Sequence, residues 1–111
     1  MHKNNKSLNF EKLKLFRKKY FNKKIIHCHG VFDVLHFGHI NYLNEAKKNG
    51  DILIVSLTSD KYVNKGFNRP YFSQEIRAHS LASLECVNYV YVNNDKTAEK
   101  IIKIIKPNFY V

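Results

Sequence analysis

Hydrophobic residues recur along the chain at two alternating spacings. Short continuous apolar runs are typical of strands that are covered on both faces of a sheet, and they predict strands at 25–29, 52–57, 87–92 and 108–111. Apolar residues three or four positions apart are typical of helices, and they predict helices at 8–20, 38–49, 74–85 and 97–106. Strands that alternate with helices indicate an α/β fold, a doubly wound, Rossmann-like parallel sheet with helices on both faces.

Polar residues between these elements predict where the elements end. Ser73 is a candidate N-cap for the third helix, and Asp95 or Thr97 is a candidate for the fourth. Residues 63–72 are rich in turn-forming positions and are expected to form a loop. Residues 1–7 follow neither spacing, so we expect them to be frayed.

The composition excludes several classes of protein. The 111 residues suffice for one domain with one core, and a hydrophobic content of 44% excludes a disordered chain. No apolar run approaches the roughly 20 residues that span a bilayer. No apolar stretch follows Met1, so we expect a cytoplasmic protein without membrane contact. Cys28 and Cys86 lie in apolar runs and are expected to be core residues rather than a disulfide framework.

The formal net charge of +10 is concentrated at the N-terminus. Residues 1–24 contain nine Lys or Arg and one acidic residue, whereas the remaining 87 residues contain ten basic and eight acidic ones. We therefore divide the chain into a basic N-terminal arm or helix (1–23) and a domain (24–111). A basic arm can bind nucleic acid or an anionic membrane. Its low arginine content favours a solvated lysine-rich helix face instead, and nucleic acid is not an expected partner.

The segment that carries candidate chemistry is GVFDVLHFGH at residues 30–39, between a predicted strand and a predicted helix. The N-terminus of a helix presents free backbone N–H groups and a positive dipole end, which favour phosphate. Gly38 would let a phosphate approach the backbone closely. His36 and His39 flank Gly38 three positions apart, so both imidazoles can reach one anion. The segment therefore indicates an anion-binding site at the carboxyl end of a strand.

Three other interpretations compete with a phosphate site. Gly30 and Gly38 do not form the G-x-G-x-x-G spacing of dinucleotide-binding loops, which disfavours NAD. A zinc site could draw on five residues by composition: His27, Cys28, His29, His36 and His39. On a strand the two outer residues of His27–His29 face away from Cys28, and the chain has no C-x-x-C or H-E-x-x-H pattern. The histidines could also be polar residues at a helix start without any ligand.

The same segment resembles the signature of a known family. Its residues Gly30-Val31-Phe32-Asp33-x-x-His36-x-Gly38-His39 are similar to the G-x-F-D-x-x-H-x-G-H motif of the cytidylyltransferase-like nucleotidyltransferases. Val31 stands where that family often has Thr. Within the family, residues 24–111 are similar to the nucleotidyltransferase domains of ADP-heptose synthases and to glycerol-3-phosphate cytidylyltransferases. The resemblance continues through Gly50-Asp51, Thr58-Ser59-Asp60, Lys65-Gly66, Arg69-Pro70 and Gln74-Glu75-x-Arg77.

The resemblance implies the transfer of CMP or AMP from CTP or ATP to a phosphorylated sugar or polyol, with release of pyrophosphate. A phosphate monoester has a second pKa of about 6, so the acceptor is mostly dianionic at neutral pH and needs no general base. Mg²⁺ is expected to bind through the nucleotide phosphates rather than to a carboxylate cluster of the protein. A homodimer is a further expectation from the family.

The resemblance also assigns roles to individual residues. It makes His36, His39 and Lys65 the expected catalytic residues. The expected nucleotide-binding residues are Gly30, Val31, Phe32, Asp33, Gly38, Asp60, Arg69 and Arg77. Some of these also fit structural roles: Asp33 either orients a histidine or holds the turn, and Asp60 either caps a helix or contacts the nucleotide. Lys65, Arg69 and Arg77 could instead be ordinary surface cations.

The family's domain continues into a second nucleotide-binding motif that is rich in Arg, Ser and Thr. The sequence reaches Val111 before such a motif, so we expect the C-terminal part of the family domain to be absent. A non-catalytic nucleotide-binding or anion-binding module is therefore the alternative to an active nucleotidyltransferase.

Overall fold

The fold was analysed in a computed structural model that describes residues 5–63, 66 and 69–111. The described residues form the strands β1 (Ser7–Leu8), β2 (Ile25–Gly30), β3 (Ile52–Thr58), β4 (Tyr89–Asn93) and β5 (Phe109–Tyr110). They form the helices α1 (Phe10–Lys19), α2 (Phe37–Lys47), α3 (Gln74–Ala82) and α4 (Glu99–Ile105), and a 3₁₀ turn at Asp60–Tyr62. None of these helices is long and apolar enough to cross a membrane.

The five strands form one parallel sheet in the order β1-β4-β3-β2-β5. The chain moves from β2 outwards through β3 to β4, and then crosses to the other side of β2 for β5. This reversal of direction beside β2 is the topological switch point of a doubly wound fold. Ligands of such folds bind beyond the carboxyl ends of the strands at this point, so the loop after β2 is the position of interest.

Helices cover both faces of the sheet, as the apolar strand runs predict. On one face Ile26, Cys28 and Leu53 pack with Leu43 of α2 and Leu81 of α3. The opposite face has its own buried cluster, formed by Leu13, Phe16, Ile25, Ile52, Ile54, Tyr91, Ala98, Ile101 and Ile105. The first cluster holds α2 and α3 against the sheet, and the second holds α1 and α4.

The N-terminal segment departs from its prediction. Residues 1–7 are expected to be frayed, and residues 1–4 of that range lie outside the described residues, but Ser7 and Leu8 pair with Val90 and Tyr91 as an edge strand. The Lys6 carbonyl also accepts a hydrogen bond from the Val90 N–H at 2.9 Å. Part of the basic arm is thus the edge strand of the sheet. A strand of two residues is too short to show a hydrophobic pattern from which it could be predicted.

The predicted helices are longer than the observed ones, and local hydrogen bonds explain where they start. The first helix begins at Phe10 because the Asn9 side chain caps it by accepting the Lys12 N–H. Ser73 caps α3 as predicted. Of the two candidates at α4, Thr97 accepts the Glu99 N–H at 3.3 Å, although the N-cap position itself is Ala98.

Candidate functional site

The loop that joins β2 to α2 begins with a tight packing contact. Phe32 has a φ of 52°, in the left-handed region that residues with a side chain rarely adopt, and its ring is buried in the core below α2 and α3. A Cβ atom on Gly30 would lie 3.0 Å from Phe32 Cε2. Glycine at position 30 therefore lets the chain turn back over the end of β2 and start α2 directly above the sheet.

His36 and His39 are folded onto the first turn of α2. His36 is the N-cap, and its Nδ1 accepts the Gly38 N–H at 3.0 Å. His39 reaches back so that its Nδ1 accepts the His36 N–H at 3.4 Å, and the ring centroids lie 4.0 Å apart. A Cβ atom on Gly38 would lie only 2.8 Å from His36 Cε1, so glycine leaves room for this ring.

These contacts decide which nitrogen of each imidazole can donate. A nitrogen that accepts a backbone N–H carries no proton, so each ring has its Nε2 as the nitrogen that can donate. The exposed His36 and the partly exposed His39 thus present Nε2–H donors beside the N-terminus of α2. The positive end of a helix dipole and two imidazole donors at one point are chemically suited to an anion such as a phosphate.

Asp33 holds a second loop against the first one. Its carboxylate accepts the Tyr71 N–H at 2.9 Å and the Phe72 N–H at 3.0 Å, and it lies 3.6 Å from Arg69 Nη1. Partial burial raises the pKa of Asp33, but these two backbone donors and the Arg69 and Arg77 guanidinium groups bring the pKa below its usual value. Asp33 is expected to orient a histidine or to hold its own turn, whereas the observed hydrogen bonds hold the loop at Tyr71 and Phe72.

Arg77 is buried, with 1% of its surface exposed, and connects three segments around the site. Its guanidinium donates to the carbonyls of Val31 at 2.9 Å, Thr58 at 2.7 Å and Phe72 at 3.0 Å. Its Nη2 also donates to Asp60 Oδ1 at 2.6 Å. The resemblance implies that Arg77 contacts a nucleotide, but here its donors are directed at the protein. Its observed role is to position the loops that follow β2 and β3.

Two other expected nucleotide-binding residues, Asp60 and Arg69, also contact groups of the protein itself. Asp60 exchanges two hydrogen bonds with Gln74, since Asp60 Oδ2 accepts the Gln74 N–H and Gln74 Oε1 accepts the Asp60 N–H. This places Asp60 at the start of α3. Arg69 lies with its guanidinium 3.8 Å from the centre of the Tyr71 ring and is partly exposed. Lys65 lies outside the described residues.

The histidines of β2 do not join His36 and His39. His27 and His29 both contact Ser56 on β3, whereas Cys28 packs into the core on the opposite face, as the strand alternation predicts. Among the described residues, no group of three or more His, Cys, Asp or Glu is arranged to hold a metal ion. The geometry therefore gives no support to the zinc interpretation.

Comparisons with known proteins agree with the motif. The cytidylyltransferase-like family model matches residues 27–111. The chain is 42% identical to the bifunctional protein HldE of Aliarcobacter butzleri over all of its own length, and 47% identical to HldE of Helicobacter pylori over 96% of it. It spans about a quarter of those relatives, 25% and 23% respectively. A lipopolysaccharide core biosynthesis protein from Thermoplasma volcanium has a similar structure, with a TM-score of 0.74 and 30% identity. That match covers 80% of this chain and 73% of the other.

Proposed function

This chain belongs to the cytidylyltransferase-like family, and we propose that its β2–α2 loop binds the phosphates of a nucleoside triphosphate in a nucleotidyltransferase site. In the proposed reaction, CMP or AMP passes from CTP or ATP to the phosphate of a sugar or polyol, and pyrophosphate leaves. The observation that carries the proposal is the paired arrangement of His36 and His39, in which each Nδ1 accepts a backbone N–H.

The two imidazoles would act as preorganised donors. The Nε2–H groups of His36 and His39 would donate to oxygens of the α-phosphate and to the bridging oxygen on which charge accumulates. The positive end of the α2 dipole would add to the electrostatic stabilisation at the same point. Because the protein holds both rings in place, little reorganisation is required when the transition state forms.

The reaction needs positioning more than proton transfer. An oxygen of the acceptor phosphate attacks the α-phosphorus of the nucleotide, a new P–O bond forms, and the bond to the pyrophosphate oxygen breaks. The acceptor is already a dianion near neutral pH, since its second pKa is about 6, so no side chain has to remove a proton. Catalysis then consists of alignment and charge stabilisation.

Mg²⁺ is proposed to bind to the site as a complex with the nucleotide. Mg²⁺ bound by a triphosphate neutralises part of its charge. The described residues offer no cluster of carboxylates or imidazoles for the ion, so we assign it to the nucleotide phosphates. The exposed Arg69, and Lys65, which lies outside the described residues, are the remaining candidates for contact with phosphates. Asp33, Asp60 and Arg77 would keep the segment 69–74 in place.

Isothermal titration calorimetry tests the proposal with MgCTP and MgATP, injected separately into the 111-residue chain. We expect saturable binding of one nucleotide, weakened at least tenfold by His39→Ala. His79→Ala is the matched control, because His79 is exposed on α3 and should leave the affinity unchanged. Binding without pyrophosphate release in the presence of an acceptor would favour the non-catalytic module. Absence of binding by both nucleotides would contradict the proposal.

A further inference from the structure

The formal charge of the protein is divided unequally along the fold. Residues 10–24, which contain α1 and the turn after it, carry seven basic residues and one acidic residue. Residues 95–106, which contain α4, carry four basic and two acidic residues. The 70 residues between these segments contain α2 and α3, and they carry six residues of each sign. The α1 and α4 segments therefore hold +8 of the formal net charge of +10.

The fold brings the charges of these two helices to one surface. Helices α1 and α4 share a buried apolar cluster on the same side of the sheet, so their polar sides face outwards together. The Phe10 ring marks where they meet, since its centre lies 5.1 Å from Lys14 Nζ of α1 and 5.0 Å from Lys100 Nζ of α4. The exposed lysines of this surface form the basic face: Lys12, Lys14, Lys18, Lys19, Lys100, Lys103 and Lys106.

Large apolar side chains protrude beside these lysines. Leu15 lies in the middle of α1 and is 63% exposed, and Phe21, just after the helix, is 78% exposed. A single exposed apolar residue is ordinary on a protein surface. Large apolar residues that alternate with lysines are instead typical of helices that lie at the interface of an anionic bilayer, where the apolar groups insert between the headgroups. The composition of the basic face therefore indicates a lipid surface.

The one arginine of α1 is used inside the protein. Arg17 Nη1 donates to the carbonyls of Tyr20 at 3.1 Å and Lys23 at 2.9 Å, and its Nη2 donates to Asn108 Oδ1 at 3.0 Å. The cations that face outwards are therefore lysines, which act as point charges and lack the planar fork of arginine. Nucleic-acid surfaces commonly use that fork, whereas each lysine near an anionic bilayer adds to the electrostatic attraction. The arginine contacts thus favour lipid over nucleic acid.

We propose that the basic face binds peripherally to the surface of an anionic lipid bilayer. Its lysines would lie at the level of the headgroups, with Leu15 and Phe21 inserted just below them. Helix α2, with His36 and His39 at its start, covers the other side of the sheet, so the bound protein would keep its nucleotide site accessible. The sequence alone predicts no membrane contact, because it shows the basic arm without the lysines that α4 adds in the fold.

Cosedimentation with lipid vesicles tests the proposal. Phosphatidylcholine vesicles with about one-third phosphatidylglycerol are compared with pure phosphatidylcholine vesicles at about 0.15 M salt. We expect the 111-residue chain to bind the anionic vesicles at least tenfold more tightly. The double variant Lys14→Glu, Lys100→Glu should weaken this binding at least tenfold. The matched control is Lys47→Glu, Lys48→Glu at the end of α2, which changes the net charge equally and should weaken binding less than threefold.

Two further measurements separate lipid from other anionic partners. The double variant Leu15→Ser, Phe21→Ser keeps every charge and should weaken vesicle binding at least threefold. A single-stranded RNA of mixed sequence should bind the wild type less tightly than the anionic vesicles do in the same salt. The inference would be overturned by tighter binding of RNA, by equal effects of the two lysine variants, by an unchanged affinity of the serine variant, or by equal binding to both kinds of vesicle. Nucleotide affinity should be the same in all these variants, so the inference stands or fails separately from the proposed function.

Discussion

Arg77 Nη2 donates to Asp60 Oδ1 at 2.6 Å, from a side chain that is completely buried to a carboxylate that is 43% exposed. The remaining guanidinium donors bind the carbonyls of Val31, Thr58 and Phe72, so one side chain satisfies groups in the loops after β2 and β3 and before α3. A planar guanidinium is suited to this role because its donors point in several fixed directions.

Replacing Arg77 should therefore lower the stability of the fold rather than remove a direct contact to a ligand. Arg77→Lys keeps the charge but cannot reach four acceptors, and we expect it to lower the free energy of unfolding by about 3 kcal/mol. Urea denaturation followed by circular dichroism measures this change. Arg69→Lys is the control, with an expected cost below about 1 kcal/mol, because its ion pair is partly exposed. Equal costs for the two variants would refute the positioning role of Arg77.

Asp33 should contribute stability that depends on pH in the acid range. Its pKa in the folded protein lies below the ordinary value of 3.8, so the ionised form is favoured by folding. The contribution of the carboxylate to the free energy of unfolding is complete above the pKa of Asp33 in the unfolded chain. It disappears as the pH falls through the lower pKa of Asp33 in the folded protein. We expect Asp33→Asn to be less stable by about 1–3 kcal/mol near pH 7, because an amide cannot accept both the Tyr71 and Phe72 N–H groups.

Denaturation of both proteins at several pH values checks this expectation. The difference in unfolding free energy between wild type and Asp33→Asn should narrow as the pH falls below 4. A difference that stays constant down to the lowest pH at which both proteins fold would rule out a stabilising role for the ionised carboxylate.

His27 should make the wild type less stable in weak acid. Burial and the nearby His29 hold its folded pKa at about 3, against 6.5 in the unfolded chain, so the unfolded state binds the proton more readily. Above pH 6.5 His27 is neutral in both the folded and the unfolded state, so the fold has its full stability. The free energy of unfolding decreases as the pH falls from 6.5 towards 3. Thermal melts between pH 7 and pH 5 should show a steeper decrease in Tm for the wild type than for His27→Gln. His79→Gln, at an exposed histidine, should keep the wild-type slope.

Gly38→Ala should disturb the site while the fold remains intact. The added Cβ would lie 2.8 Å from His36 Cε1, so the ring must move away from the Gly38 N–H that it accepts. We expect nucleotide affinity to fall about tenfold, whereas alanine raises helix propensity by about 0.5–1 kcal/mol and keeps the protein folded. Phe37→Ala, at a neighbouring side chain that is 81% exposed, should keep the affinity within twofold. A Gly38→Ala protein with wild-type affinity would show that the ring position is unimportant.

The layered architecture was predictable because it depends on patterns that are local in sequence. The apolar run at 52–57 is buried on both faces, and the alternation around Cys28 correctly separates that residue from its two histidine neighbours. The edge strand Ser7–Leu8 was missed, since its stability comes from pairing with β4 rather than from its own composition. Residue spacing alone also placed His36 and His39 together at the start of a helix.

The roles of Asp33 and Arg77 could not be predicted in the same way. Asp33 bonds to backbone groups 38 and 39 positions away, and Arg77 bonds to the Val31 carbonyl 46 positions away. Backbone acceptors carry no residue signature, so these contacts are invisible until the chain is folded. A family motif shows that the residues matter, but whether they touch a ligand or hold a loop depends on the tertiary structure.

Histidine side-chain NMR during a nucleotide titration tests the central claim most directly. At pH 8, where ordinary imidazoles are neutral, long-range ¹H–¹⁵N spectra report which ring nitrogen carries the hydrogen. We expect His36 and His39 to be protonated on Nε2, and these two Nε2 signals to shift when MgCTP or MgATP is added. His79 provides the internal reference, because it is exposed on α3 and should not shift. Protonation of either ring on Nδ1 would contradict the account. Nucleotide binding that leaves the Nε2 signals of both rings unchanged would also contradict it.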